Sequence, residues 1–392
     1  MFSGALNTGL DAASLRRWLL DEVCPFWSER IVDPAGGYFE GLNADGRPVR
    51  DTLRTVLVQA RLTYVFSHAF CLGGAPQMRA AADHGFKQLQ QWSLSHGSGW
   101  AKSQSIDGTT GNSSRDTYDQ AFVIFACAWH FRATGKPEAI AMAESAYEFL
   151  RTRVADPLHG GFFEGYPELG TLPRRQNPHM HLLEATLAMF ASTAEQKWLH
   201  ASSQLVALFK TRFFDQSSGS LGEFFNADWS PCAGVIGELR EPGHQFEWVW
   251  LLAEFARLSG DDDIVRLSDQ MFDFGQKFGL DNNEPLSGLA FDAVNSTGKV
   301  TADSKLFWPQ TEYIKACVAR WERGDTRMAK EVDAHLFRLR THYFRADGAN
   351  WRNQLTRRGN CLTEATPSRV LYHLFLALAE TIRVKESLEA GT

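Results

Sequence analysis

A glycine followed within three residues by an aromatic recurs along the chain at a nearly even interval. The copies are Gly37-Tyr38-Phe39, Gly99-Trp100, Gly161-Phe162-Phe163, Gly222-Glu223-Phe224, Gly288-Leu289-Ala290-Phe291 and Gly348-Ala349-Asn350-Trp351. Successive glycines stand 62, 62, 61, 66 and 60 residues apart, so six copies account for about 372 of the 392 residues. Self-similarity at a fixed period marks a repeated supersecondary unit and has to be settled before any other fold reading. The chain has 32 glycines and many aromatics, so single pairs arise by chance, but an even spread from end to end argues against it.

Between these turns apolar residues fall at helical spacing. The stretches are Leu15–Trp27, Arg54–Phe70, Met78–Trp92, Tyr118–Phe131, Ala139–Leu150, His179–Phe190, Trp198–Phe209, Phe246–Leu258, Ile264–Phe278, Gln310–Trp321, Ala329–Leu339 and Arg369–Ile382. They are rich in good helix formers. Gly135 supplies a stop after the fourth, and Thr366-Pro367 reads as an N-cap and first-turn pair for the last. Two helices per repeat predict an all-α fold, an (α/α)6 barrel of six helical hairpins with short β-hairpin or extended turns at one end. Even-numbered helices would form the inner ring. Length alone permits two or three domains. No Pro/Ser/Gly-rich linker interrupts the repeats, so a single domain over 1–392 is expected. Two long polar loops, Ser103–Arg115 and Pro167–Gln176, are candidates to cover or line a site.

Composition narrows the function classes. At 44% hydrophobic and 22% charged residues the chain has the make-up of a soluble globule. No apolar run is long enough to span a bilayer, and the N-terminus lacks the pattern of a signal peptide. The six cysteines form no C-x-x-C pair and read as reduced thiols of a cytoplasmic protein. A net charge of −6 argues against a nucleic-acid partner.

The polar residues that stand out share one phase: Arg61, Tyr118, His181, His244, Trp308 with Glu312, and His373. From Arg61 to Trp308 they are 57, 63, 63 and 64 residues apart, and His373 follows 65 after Trp308. All lie on or at the start of even-numbered helices, so a closed ring would gather them around one cavity. Asn177, His181 and Glu184 share a helix face at i, i+4 and i+7, whereas His179 faces elsewhere and reads as a rim or structural residue. In Glu241-Pro242-Gly243-His244-Gln245-Phe246-Glu247-Trp248, Pro242 fits the first helical position and His244 the first turn. The helix dipole there opposes an imidazolium while Glu247, three residues on, favours it, which would hold His244 near neutrality as a general acid/base. Arg61 would be a buried cation able to polarise a sugar oxygen. Tyr118, Phe307, Trp308, Trp248 and Trp351 offer flat faces for sugar C–H groups. Arg174 and Arg175, in the second polar loop, read as part of a solvated loop, with an anionic substrate as the alternative they could meet. No ligand set with metal spacing is visible, so neither metal nor other cofactor is expected.

Asn-Pro-His-Met-His-Leu-Leu-Glu-Ala (177–185), Glu-Pro-Gly-His-Gln-Phe-Glu-Trp (241–248), Phe-Trp-Pro-Gln-Thr-Glu (307–312), Gln-Ala-Arg (59–61), Tyr-Asp-Gln-Ala-Phe (118–122) and Leu-Tyr-His-Leu (371–374) resemble the N-acylglucosamine 2-epimerase superfamily over nearly the whole chain. The Trp-Pro-Gln-Thr-Glu stretch and the closing Pro-x-x-x-Leu-Tyr-His look most like its D-mannose isomerase branch. The resemblance implies an (α/α)6 barrel that needs no metal. It places the catalytic histidines on His244 and His373, the arginine on Arg61, and supporting residues on Asn177, His181, Glu184 and Glu247. Arg369, ahead of the Leu-Tyr-His, is assigned no role by that pattern and could alter sugar choice.

The expected activity is an aldose–ketose isomerase interconverting D-mannose and D-fructose. Catalytic roles go to His244, His373, Glu247 and Arg61, and substrate binding to Tyr118, Asn177, His181, Glu184, Trp308, Glu312 and Trp351. The alternative is a sugar 2-epimerase of mannose/glucose, cellobiose or N-acylglucosamine type. A glycoside hydrolase or lyase would need paired carboxylates across a bond, and a non-catalytic sugar-binding barrel would need no acid/base pair. The partner is a monosaccharide, and the chain is a monomer or homodimer.

Overall fold

The computed structural model describes residues 10–390 except 51, 52, 97 and 106, so the first nine residues of the stretch read for a signal peptide, and one of the Ser103–Arg115 loop, lie outside it. Within the described residues the helical periodicity resolves into twelve long helices. These are α1 (residues 12–31), α2 (Val56–Cys71), α3 (Pro76–His96), α4 (Thr117–Thr134), α5 (Pro137–Phe149), α6 (Asn177–Thr193), α7 (Gln196–Leu208), α8 (Pro242–Ser259), α9 (Val265–Phe274), α10 (Phe307–Glu322), α11 (Arg327–His342) and α12 (Leu371–Ala390). One wider π turn interrupts α1, and others extend α5, α7 and α9. None of the described helices is long and apolar enough to cross a membrane.

The even-numbered helices form a closed inner ring. Helix α2 packs on α4, α4 on α6, α6 on α8, α8 on α10, α10 on α12, and α12 returns to α2. Helices α3, α5, α7, α9 and α11 pack outside the helix before them, and α1 packs outside α12. This is the (α/α)6 barrel that the repeat predicts. The division follows from the sequence. Helix α2 is buried almost throughout, as an all-round apolar helix must be, whereas α9 and α11 each carry an apolar stripe and a polar face.

Short antiparallel ladders stitch each repeat to the next at one rim. The strand entering an inner helix pairs with the strand that follows the next outer helix. Leu53–Thr55 pairs with Ser103–Ser105, Arg115–Asp116 with Gly165–Tyr166, Arg174–Arg175 with Phe224–Phe225, Leu239–Arg240 with Ala293–Asn295, and Lys305–Leu306 with Gln354–Leu355. Thr366–Pro367 pairs with Gly41–Leu42 and closes the ring. That pairing overrides the local cap signal: Thr366 and Pro367 are ladder residues, and α12 begins after one further turn, Ser368–Val370. Arg54, expected in the second helix, belongs to the strand before it. Gly135 does end α4, in the left-handed conformation with its N–H on the Phe131 carbonyl.

The repeated glycine has a physical cause. Gly37, Gly99, Gly161, Gly288 and Gly348 all adopt φ between +68° and +86°, open to glycine at little cost. The residue just after the turn is then held by a buried side chain in the first turn of an inner helix. Gln59 accepts from the Tyr38 N–H at 2.8 Å and donates to the Tyr38 carbonyl at 3.1 Å. Gln120 does the same for Trp100, Gln245 for Leu221 and Gln310 for Ala290. In the third repeat His179 takes the position, its Nε2 accepting from the Phe162 N–H at 2.9 Å, which gives that histidine its structural role. The fourth copy departs from the sequence motif: the left-handed glycine is Gly219, at φ +65°, rather than Gly222. The close approach is strict at Gly37, where a Cβ would lie 2.2 Å from the Gln59 amide oxygen.

Each such amide satisfies two buried backbone groups. Gln59→Met keeps the volume but leaves the Tyr38 N–H and carbonyl unpaired, which should cost about 2–4 kcal/mol. Urea denaturation of the variant checks this, and a loss under about 0.5 kcal/mol would show that the clamp does not hold the turn.

Candidate active site

All six inner helices present their N-termini at the rim with the ladders, and their first turns line a cavity of about 520 Å3. Of the residues singled out in the sequence, Arg61, Tyr118, Asn177, His181, His244, Glu247, Trp308 and His373 border it. The volume falls in the roughly 300–1,000 Å3 range of small-molecule sites. The positive ends of six helix dipoles favour negative charge developing there.

His244 and His373 both lie beside Trp308, with ring centroids 5.1 Å and 5.5 Å from it. Their surroundings set opposite charge states. Pro242 starts α8 as the sequence indicates, and His244 follows in its first turn. Its Nδ1 lies 2.9 Å from Glu223 Oε2 and 3.5 Å from Glu241 Oε2. Burial opposes the imidazolium, but Glu223 and then Glu241 override it and push the ring up to about 10. Glu247, the partner expected from the sequence, raises the ring as well but less than these two, so His244 lies above the near-neutral value expected. Its Nε2 lies 3.1 Å from the Asn177 amide, whose oxygen meets a protonated ring once the amide is turned about its terminal bond.

His373 is held well below the usual imidazole range, first by burial and then by the cations Arg61 and Lys315. Its Nδ1 lies 2.7 Å from Glu312 Oε1, and Glu312 Oε2 lies 2.7 Å from Lys315 Nζ. Burial, then Glu247, pushes the Glu312 carboxyl well up, while Lys315 opposes the shift. With the shared proton on Nδ1, the His373 Nε2 lone pair is left on the far side of the ring from Glu312.

Glu247 is buried, and neither carboxylate oxygen has a hydrogen-bond partner. It lies 4.0 Å from both His181 and Lys315 and borders the cavity, so its free oxygens are available to substrate hydroxyls. Arg61 is buried over the rings of Phe122 and Tyr372, donating to the Tyr118 hydroxyl at 2.6 Å and the Arg369 carbonyl at 3.2 Å. His181 Nδ1 lies 3.1 Å from Glu184, and burial keeps that ring below its usual range.

Three of the expected substrate contacts sit elsewhere. Trp351 is wholly buried, stacked on Phe307 at 5.0 Å and tilted against Trp27 at 4.9 Å, so it belongs to the core. Phe307 and Trp248 are likewise fully buried, and among the aromatics proposed for a sugar face only Tyr118 and Trp308 border the cavity. Glu312 stands behind His373, and Glu184 behind His181, where it also accepts from the Tyr372 hydroxyl at 2.5 Å. These two carboxylates position other residues. Arg174 is buried against Asp156 and the Trp229 ring, whereas Arg175 borders the cavity but is paired with Glu164 at 2.7 Å. The Pro167–Gln176 loop does line a neighbouring cavity through Glu168, Thr171, Leu172 and Pro173, and the Ser103–Arg115 segment is largely a strand pair.

The sequence reading missed Glu223, Glu241, Asp119 and Lys315. Glu223 had a findable signal. An acid follows the turn in four repeats and accepts the backbone N–H just ahead of an inner helix: Glu40 from Thr55, Glu164 from Arg175, Glu223 from Glu241 and Asp292 from Leu306. Asp119 borders the cavity with its carboxyl raised to about 8 by burial and Asp116. Two groups, Glu223/Glu241/His244 and Glu247/Glu312/His373, have ligand atoms close enough for a metal. In the first the imidazole holds its protons strongly, and in the second Glu312 is engaged by Lys315; both compete with metal binding.

The family model for N-acylglucosamine 2-epimerase (GlcNAc 2-epimerase) matches residues 37–377. A mannose-6-phosphate isomerase of Rhizobium meliloti (strain 1021) is 31% identical over 387 residues, covering 96% of this chain and 97% of that one. A solved D-mannose isomerase superposes with a TM-score of 0.86 at 22% identity, covering 96% of this chain and 99% of that one. The cellobiose 2-epimerase of Bacillus thermoamylovorans B4167 gives 0.85 at 21%, covering 95% and 98%.

The raised His244 adds stability in full below about pH 6.5, which is lost as pH rises through about 10. If the imidazolium serves catalysis, kcat/KM should have an alkaline limb near pH 10. Glu223→Gln should bring that limb down by about one unit or more. An unmoved limb would assign the titration to another group.

Proposed function

Because the chain belongs to the N-acylglucosamine 2-epimerase family, we propose that it is an aldose–ketose isomerase that interconverts D-mannose and D-fructose. One observation carries this reading: His244 and His373, pushed towards opposite charge states by their surroundings, both border one sugar-sized cavity beside Trp308. The mannose isomerases among its relatives support the sugar, with the solved one contributing likeness of fold.

The ring first opens to the aldehyde. Neutral His373 removes the C2 proton through Nε2, the C1–C2 double bond forms, and the carbonyl electron pair moves to O1. Arg61 and the His244 imidazolium stabilise that oxygen, with the helix N-termini adding to the field. His244 protonates O1 and later recovers a proton from O2, while His373 returns its proton to C1. Glu247 orients the hydroxyls. Tyr118 and Trp308 hold the carbon face, and Asn177 and His181 complete the wall. Each step uses only protons of the protein and sugar, so the reaction proceeds without metal.

The flanking histidines also suit a 2-epimerase, in which C2 is reprotonated from the opposite face by His244. The product from mannose in D2O separates the two: fructose labelled at C1, or glucose labelled at C2.

His373→Ala and His244→Ala should each lower kcat by about 10²–10⁴-fold while the melting temperature stays near wild type. Near-normal turnover in either variant would remove that residue from the proton path. Dialysis against EDTA should leave turnover unchanged, and a loss restored by added divalent metal would refute the metal-free scheme.

A further inference from the structure

A hexose enters the cavity as a closed pyranose, and its chemistry at C1 and C2 cannot begin until the ring opens. Opening is helped by an acid that gives the ring oxygen a proton while the C1–O5 bond breaks. His373 works at C2 and C1, and His244 at O1 and O2, so a third proton carrier on the cavity wall would serve the ring oxygen. Lys102 is paired with Asp116 at 3.3 Å, and Glu241 stands 3.5 Å from His244 Nδ1. Burial pushes the Tyr118 hydroxyl up, which makes it a poor proton donor.

Asp119 is different. It lies in the first turn of α4, borders the cavity and is 4% exposed. Its Oδ2 is buried without a hydrogen-bond partner, and the carboxyl makes no hydrogen bond or ion pair with any described residue. A buried carboxyl without a partner is less costly to hold protonated than charged. Burial, then the nearby Asp116 carboxylate, raises it to about 8. Lys102, Arg61 and Arg175 oppose that shift without cancelling it, and the positive end of the helix acts in the same direction as they do. Asp116 is itself engaged, accepting from the Tyr118 N–H at 3.0 Å and facing Lys102. At neutral pH Asp119 thus holds a proton that no described residue claims.

Its place in the ring keeps it apart from the histidines. Asp119 comes from α4, which stands two places round the ring of six from α8, the helix of His244, and two places from α12, the helix of His373. Three proton carriers therefore border one cavity from three different helices, and none takes another's place. A neutral carboxyl also offers what the histidines do not, an O–H donor and a carbonyl acceptor on one group.

We propose that Asp119 is the general acid that opens the pyranose ring. Its proton passes to the ring oxygen as the C1–O5 bond breaks, and the electron pair of that bond stays on the oxygen. The O1 hydroxyl gives its proton to solvent as the C1–O1 double bond forms, and the Asp119 carboxylate recovers a proton from solvent. Ring closure is the reverse. This rests on the isomerase reading for a substrate that is a closed aldose, but not for the proton transfers at C1 and C2.

2-Deoxy-D-glucose separates opening from isomerisation. Its anomers interconvert through the open chain, but it lacks the O2 needed to become a ketose. Proton NMR of the freshly dissolved α anomer should show the wild-type protein speeding the approach to the α/β equilibrium in proportion to its concentration. Asp119→Asn keeps the shape without the acidic proton and should lower that acceleration by about 100-fold or more. Calorimetry with 1,5-anhydro-D-mannitol, a closed ring that cannot open, tells a lost proton from a lost pocket. Its binding to Asp119→Asn should weaken far less than the acceleration falls, and an equal loss overturns the assignment. No acceleration by the wild-type protein, or an acceleration that Asp119→Asn retains, overturns it too. Acceleration that depends on Asp119 in a protein that makes no fructose from mannose would overturn the isomerase reading and leave the ring-opening acid standing.

Discussion

A side-chain amide that stands in for a peptide group holds this barrel in register. Gln59, Gln120, Gln245 and Gln310 each pair with both backbone groups of the residue after a turn, and His179 supplies half of the same contact. Without them the turns would bury unpaired N–H and C=O groups, each costing about 1–3 kcal/mol. Because these side chains lie in the first turn of the inner helices, they tie the loop rim to the helix N-termini. The acids after the turns make a second tie, to the backbone entering the next inner helix. The site occupies this doubly fastened rim, which suits chemistry that needs fixed distances.

Above that frame the site is an exercise in buried charge. Glu184, Glu247 and Glu312 share the interior with Lys315, Arg61 and His244. An isolated ion there would cost several kcal/mol, so each ion constrains its neighbours. The two histidines show the result. His244 has two carboxylates at its Nδ1 and is charged. His373 has a carboxyl too, but Lys315 has already engaged that carboxyl and Arg61 stands nearby, so the ring stays neutral. Identical side chains are pushed towards opposite charge states by what packs around them.

Much of this was legible in the sequence. The period near 62 marked six repeats, because each repeat needs a left-handed glycine and an apolar residue behind it. The shared phase of Arg61, Tyr118, His181, His244, Trp308 and His373 marked one cavity, because equal repeats in a closed ring carry equal positions to the same height. The repeat marks Glu223 as an acid after a turn, but not as the partner of His244: it sits 21 residues before that histidine, where no helical spacing relates the two. Trp351 misled for a different reason. A tryptophan offers the same flat face to a sugar and to Phe307, and its residue type does not say which it meets. Gly222 kept the period while Gly219 took the turn, because a nearby glycine served the same geometry.

The sequence by itself determined the repeat number, the helical hairpin, the inner and outer assignment of the helices and most of the cavity wall. These depend on periodicity and side-chain volume, which are properties of residues near one another in the chain. The tertiary structure alone decided which carboxylate stands against which histidine and which aromatics border the cavity rather than the core. Those outcomes turn on distances of 3–4 Å between residues from different repeats. Coulomb and hydrogen-bond energies change steeply over that range, and no spacing along the chain encodes it.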